Sequence, residues 1–172
     1  MLNNCTMTVD GTDFCILHKG ITMKGNAFGS HKYAGKSALR NELGVNILTG
    51  NLVWIQGPYT AGEHTDIKIF NKVLRNFFEP GERVEADEGY RGHPSKIKCR
   101  GNDVNPAGNG GMQGRVRARH ETLKGRLKNW GILSQVFCHH IMMHDDVFRA
   151  FAVATQLTVE NGEPLFEVEY GD

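Results

Sequence analysis

The chain has 172 residues, 40% of them hydrophobic and 23% charged, which is enough apolar material for one ordinary buried core and too much for a disordered chain. No run approaches the roughly 20 apolar residues that a bilayer-spanning helix needs, and the opening MLNNCTMTVDG has no basic segment followed by an apolar one, so neither a membrane span nor a secretory leader is expected. Net charge is only +1, yet Arg91 to Lys128 holds ten Lys or Arg against Asp103 and Glu121, leaving ten bases and seventeen acids elsewhere.

That segregation suits either a plain solvated face or a polyanion-binding surface set beside an acidic, cation-binding pocket. Cys5, Cys15, Cys99 and Cys138 are scattered with no CxxC pair. Such spacing fits reduced thiols in a cytosolic or nuclear protein better than a disulfide framework.

In chain order, the first third reads as strands. CTMTVDGTDFCIL is rich in β-favouring residues around an Asp-Gly that could form a turn. SALRNELGVNIL and NLVWIQG follow as two more strand-like runs, separated by the hairpin signal Thr49-Gly50-Asn51, and Gly57-Pro58 is expected to stop the third. From Thr65 the period becomes helical: DIKIFNKVLRNFF places apolar residues at 67, 69, 70, 73, 74, 77 and 78, with Thr65 or Asp66 placed to cap. Glu79-Pro80-Gly81 ends that helix, and RVEAD is a short strand running into the turn EGYRG. Lys96, Lys98 and Arg100 alternate as on a strand with one basic face. Residues 101–114, rich in glycine, read as a loop. A basic helix over about 113–129 follows, then a helix over about 144–157 whose face is Val147, Phe148, Phe151, Ala154 and Leu157. The expectation is one α/β domain: a three-strand meander plus further strands in a mixed sheet flanked by helices.

Four carboxylates stand at the ends of elements or on the basic helix: Asp10, Asp66, Asp87 and Glu121. Each has a purely structural alternative. Asp10-Gly11 could be a hairpin turn, Asp66 a helix cap, Asp87 with Gly89 another turn, and Glu121 a partner for Arg117 and Lys124 at helical spacing. The combination points elsewhere. Phosphoryl transfer on two Mg²⁺ ions about 3.5–4 Å apart needs hard oxygen ligands converging from separate elements. Neighbouring strands lie about 4.8 Å apart, so carboxylates at adjacent strand ends can share an ion while a helix supplies a third.

These residues also carry a resemblance. VDGTDF, EADEGY and RARHETLKGRLKNWGIL resemble the three acidic blocks of DDE transposases of the Harbinger/PIF group, with 33 residues between Asp87 and Glu121. WIQGPYTAGEHTDIKIF is similar to the block those proteins carry between the first two acids, and FRAFAVATQLTVENGEPLFEVEY to a tail found among transposon-derived members. The resemblance implies a ribonuclease-H-like fold and a metal-dependent DNA endonuclease and strand-transfer core. In it Asp10, Asp87 and Glu121 would be the catalytic and metal-holding acids, with Mg²⁺ or Mn²⁺ as two ions and Asp66 in a supporting role. Arg117, Lys124 and Lys128 on the basic helix would grip DNA phosphates. Implied partners are double-stranded DNA, a separate Myb-like DNA-binding protein and further copies of the chain, in the nucleus of a eukaryotic cell. Members of the group carry an N-terminal helix-turn-helix segment. Here nine residues precede Asp10, so residues 1–172 are expected to be a single nuclease core without it.

Two rival functions stay open on the sequence: a domesticated DNA-binding protein that keeps the fold without cutting, and a ribonuclease of the same fold acting on RNA·DNA hybrids. His140 and His144 have the i, i+4 spacing of a metal pair, but no HExxH or cysteine pair accompanies them, and a helix start near Asp145 or Asp146 is the expected reading.

Overall fold

Five strands, β1 (Cys5–Cys15), β2 (Ala38–Asn46), β3 (Leu52–Thr60), β4 (Arg83–Ala86) and β5 (Ile97–Lys98), pair in the order β3-β2-β1-β4-β5. β1 to β3 form an antiparallel meander, whereas β4 runs parallel to β1 and β5 parallel to β4. The structure, a computed structural model, describes residues 5–17, 27–99 and 110–165, without the side chains of 110–113, 115 and 116. The helices are α1 (Asp66–Lys72), α2 (Gly110–Asn129), α3 (Gly131–Ser134) and α4 (His144–Glu160). The result is an α/β fold with a mixed five-strand sheet between helical layers.

Asp10-Gly11 is not a turn. β1 continues through it, because Asp10 faces Leu43 and Gly11 faces Glu42 across the β2 ladder. Only the pairing with β4 stops there, at Val9 and Ala86. The second turn behaves as the sequence suggests: Asn46 Oδ1 accepts from the amides of Leu48 and Thr49, and Gly50 takes φ +77°, a conformation that favours glycine. Gly57-Pro58 does not end β3, which runs on to Thr60. As the outermost strand, β3 tolerates a proline whose missing N–H costs no inner ladder bond. The helix from Asp66 is shorter than its apolar spacing predicts: it yields at Val73 to a 3-10 turn, Leu74–Phe77. β5 is two residues long, with Lys98 buried, so the expected basic strand face is not a solvent face; Arg100 and residues 101–109 lie outside the described residues.

Each face of the sheet has its own core. Val9, Val84 and Ala86 pack against Phe70 and Leu74 of the α1 side, with Tyr90 and Ile97. On the opposite face Phe14 and Leu43 meet Leu127, Leu133, Phe148 and Ala152 from α2, α3 and α4. The Val, Leu, Ile and Phe side chains among them each contribute about 1.5–3 kcal/mol when fully buried. α4 turns slightly from its expected face: Phe148, Ala152, Thr155 and Val159 are buried while Leu157 is half exposed. Among the described residues no helix is long and apolar enough to cross a membrane.

Candidate active site at the sheet edge

The parallel pairing of β1 with β4 sets the site. Val9 and Ala86 are the last registered pair, so Asp10 and Asp87 follow side by side on neighbouring strands. Asp87 leaves the strand at once and caps the 3-10 turn Glu88–Tyr90, its Oδ1 accepting from the Gly89 amide at 2.8 Å. The turn role considered for it is therefore real, and it leaves the other carboxylate oxygen at the edge.

Asp66 arrives from the α1 side. Thr65 occupies the N-cap position and neither it nor Asp66 makes a side-chain cap bond, so the expected capping role is absent. Instead the Asp66 carboxylate lies over two glycines. A Cβ on Gly11 would run into Asp66 Oδ1, and one on Gly89 would stand 3.0 Å from Asp66 Oδ2 and 2.9 Å from Asp87 Oδ1. Asp66 therefore bridges from β1 to the β4 turn, beside both other aspartates. Arg40 Nη1 approaches Asp66 Oδ1 at 3.3 Å, a charge contact rather than an aligned hydrogen bond, so this buried oxygen has no true donor. Arg40 is committed mainly to Asp13. Burial raises the Asp66 pKa; Arg40 and Lys32 oppose the shift, and the charges of Asp10 and Asp87 add to it.

From the other face α2 delivers a cation. Lys124 Nζ bonds Asp10 Oδ2 and stands 3.2 Å from Glu121 Oε1. Burial alone would raise the Asp10 pKa, but Lys124 outweighs it, helped by His120 and Lys32, and the carboxyl is held below its usual range. Lys124 in turn is raised, the pull of Asp10 and Glu121 exceeding the effect of burial. Glu121 itself is 68% exposed, joined to the aspartates only through this ammonium.

Lys124, expected to grip DNA phosphates, is instead buried against Asp10 and keeps the expected contact with Glu121. The buried face of α2 is Arg119, His120, Leu123, Lys124 and Leu127. A polar stripe fits there because the sheet beneath it presents Thr8 and Asp10. Of the other two predicted phosphate-gripping cations, Arg117 is exposed on the cleft wall. Lys128 donates to the Tyr33 hydroxyl at 3.1 Å and lies over the Phe14 and Tyr33 rings.

Thr8, Asp10, Glu85, Asp87, Arg117 and His120 line a cleft at this edge. His120 was not among the predicted site residues, although its spacing from Leu123 and Leu127 placed it on the buried stripe. Glu85 was missed as well; it alternates with Asp87 in RVEAD, the period of one strand face. His120 Nδ1 meets Thr8 Oγ1 at 3.2 Å while Nε2 has no hydrogen-bond partner. Burial depresses its pKa to about 4, with Asp10 acting in the opposite sense.

The carboxylates of Asp10, in the middle of β1, and Asp87, just past β4, are the oxygen donors a hard divalent cation would take, but the Lys124 ammonium already occupies Asp10. Among the described residues no group of three His, Cys, Asp or Glu side chains is placed to hold a metal ion. Lys124 holds Asp10 in this arrangement.

The second histidine cluster is dispersed. His140 is exposed and caps the turn before α4 through Nδ1, accepting from the Met142 amide. His144 is fully buried among Phe14, Phe137 and Phe148. Asp145 and Asp146 sit in the first turn of α4, as expected.

No family model, curated protein or solved structure matches the chain.

Proposed function

We propose that the chain is the nuclease and strand-transfer core of a cut-and-paste DNA transposase of the DDE type, built on a ribonuclease-H-like fold. The observation that carries this reading is the parallel β1–β4 edge, where Asp10 and Asp87 stand side by side and α2 brings Glu121 to the same end through Lys124. The sheet order, a three-strand antiparallel meander continued by parallel strands, supports the fold half of it.

Asp10 and Asp87 would hold the catalytic ions, Mg²⁺ or Mn²⁺, with Glu121 closing over them once Lys124 releases Asp10. Bound there, the ions would lower the pKa of a water and neutralise charge on the phosphate. Asp66, beside Arg40, fills the space above Gly11 and Gly89 and would play a supporting part next to the other two aspartates. Arg117 is the exposed cation nearest the acids and would hold a phosphate flanking the scissile bond. In the reaction a water oxygen, losing a proton, would bond to phosphorus as the bond to the 3′-oxygen breaks; the freed 3′-hydroxyl, losing its proton, would then bond to a target phosphorus as that phosphorus releases its own 3′-oxygen as a new hydroxyl. Further copies of the chain and a separate DNA-binding protein of the Myb-like kind would supply end recognition.

One observation favours a second reading, a DNA-binding descendant that no longer cuts: Lys124 already neutralises Asp10. Labelled duplex DNA incubated with the protein and Mg²⁺ decides between them. Nicking that Asp87→Asn abolishes is the expected result. Tight duplex binding with no nicking under Mg²⁺ or Mn²⁺ would establish the second reading instead.

A further inference from the structure

At the other side of the sheet β3 is the outermost strand, and α4 packs beside it. Leu52, Val53 and Ile55 of β3 and Arg149, Val153 and Leu157 of α4 wall an open groove. Val53, Val153 and Leu157 are each more than half exposed. One apolar side chain in water needs no explanation, whereas a row of them along a groove marks a contact surface. Two kinds of occupant suit this shape: a strand added to β3, or a helix laid beside α4. β3 is a poor template for a strand. Its pairing with β2 is interrupted by two register shifts, Pro58 has no N–H to offer, and the Leu52 amide already donates to Gln156 Oε1 at 2.7 Å.

α4 is the better template. Arg149, Val153, Gln156 and Glu160 follow one another at spacings of four, three and four residues, the rhythm of a two-helix seam. At about 100° per residue the four fall within about 60° of arc, with Leu157 on one flank. The row opens on a cation and closes on an anion, about 16 Å apart along the axis. Turned end for end it matches itself: Arg149 falls opposite Glu160, and Val153 falls opposite Gln156 and beside Leu157. A parallel copy would set like charges together.

We propose that this face of α4 is the contact surface for a second copy of the chain, the two helices packing antiparallel across a two-fold axis. The same patch then serves both partners, as a closed symmetric dimer requires. Arg149 and Glu160 are engaged within the chain only by exposed i,i+4 contacts, with Asp145 and Gln156, which cost little to share. With charged ends and a short apolar middle the dimer is weak, with a dissociation constant on the order of 1–100 µM, and it loosens as salt rises. The contact lies two strands away from Asp10 and does not rest on the chemistry proposed for the acids.

The test is sedimentation of the whole chain over a range of concentrations, in reductant because Cys138 is exposed. Wild type is expected to show a reversible monomer–dimer equilibrium. Arg149→Glu alone and Glu160→Arg alone should each weaken it by about 10-fold or more, since each sets two like-charge contacts across the axis. Mixed in equal amounts, the two variants should dimerise again near wild-type strength, because both contacts then join opposite charges. Loss of folding would not give that recovery. Should either variant fail to fold, Val153→Arg at an exposed position replaces it, and a folded Val153→Arg protein that dimerises like wild type overturns the proposal. Wild type that stays monomeric at about 100 µM overturns it and leaves the groove to a different partner. A dimer that none of the substitutions weakens, or a mixture no more dimeric than its parts, overturns it as well and places the contact elsewhere.

Discussion

Replacing His144 with phenylalanine should change how stability responds to acid. Its ring is fully buried, stacked at 8° on Phe148 and angled against Phe14 and Phe137, and both ring nitrogens lack partners. Burial depresses its pKa from 6.5 to about 4, with the neighbouring Asp145 opposing part of the shift. The unfolded chain therefore binds a proton that the folded chain refuses. The protonation penalty at His144 vanishes well above pH 6.5, and stability is lost as pH falls from there toward 4. A shift of this size is worth at most about 3 kcal/mol once complete, and linkage puts about 2 kcal/mol of it between pH 8 and pH 5.

The raw pH profile of wild type will not isolate this effect. His120, also depressed to about 4, acts in the same direction. Glu42 acts in the other: buried beside Trp54 and Tyr90, it is raised to about 7, so its contribution is complete below pH 4.5 and is lost as pH rises through 7. The difference between His144→Phe and wild type cancels both. Urea unfolding at pH 8, 7, 6 and 5 at fixed ionic strength should show the variant gaining about 2 kcal/mol on wild type as pH falls. Two curves that stay parallel across this range would refute the reasoning and mean that the imidazole is solvated or paired.

Glu42→Gln should show the mirror image, gaining about 2 kcal/mol on wild type as pH rises from 5 to 8 in the same unfolding assay. Gly11→Ala forces a methyl into Asp66 Oδ1 and should cost about 1–3 kcal/mol. In a double-mutant cycle most of that cost should vanish in an Asp66→Ala background, and full additivity would place the clash elsewhere. Lys124→Met strips Asp10 of its cation; the Asp10 pKa should rise, measured by carboxyl NMR, and stability fall by about 2 kcal/mol, since Asp10 keeps some solvent. On the metal-dependent reading, added Mg²⁺ should restore more stability to this variant than to wild type, and an equal thermal shift in both would count against an ion at Asp10.

The strands were legible because β-branched runs and turn residues alternate strongly in the first third of the chain, and the β2–β3 turn formed where Thr49-Gly50-Asn51 announced it. Gly57-Pro58 misled because a local stop signal does not reveal that β3 has no outer neighbour. Asp66 and Asp87 stand at element ends as their positions suggest, whereas Asp10 lies in the middle of β1 and only its pairing with β4 ends there; the partners of the acids were not legible. On a helical wheel Lys124 borders the solvent row of Arg117 and Lys128. What turns it inward is the polar sheet face of Thr8 and Asp10, which belongs to a strand more than a hundred residues earlier. His120 was missed although its spacing sets it on the face of Leu123 and Leu127, because its partner Thr8 lies on that same distant strand.

The four acids at the edge are held with unequal force, and the inequality bears on how the site would work. Asp66 is fixed by packing over two glycines and by the charge of Arg40, itself locked to Asp13. Asp10 is fixed by a buried ammonium, a strong but reversible hold whose desolvation cost roughly offsets its attraction. Asp87 is held by the single amide of Gly89, and Glu121 swings on an exposed side chain with only Lys124 to steady it. On the metal-dependent reading, a cation would find one Asp87 oxygen outside the Gly89 bond and would have to compete with Lys124 for Asp10. The same lysine touches both Asp10 and Glu121, so its departure frees the two together. One side chain thereby couples the acid on the sheet to the acid on the helix, and the rigid Asp66–Arg40–Asp13 chain on the opposite face gives that exchange a fixed wall to work against.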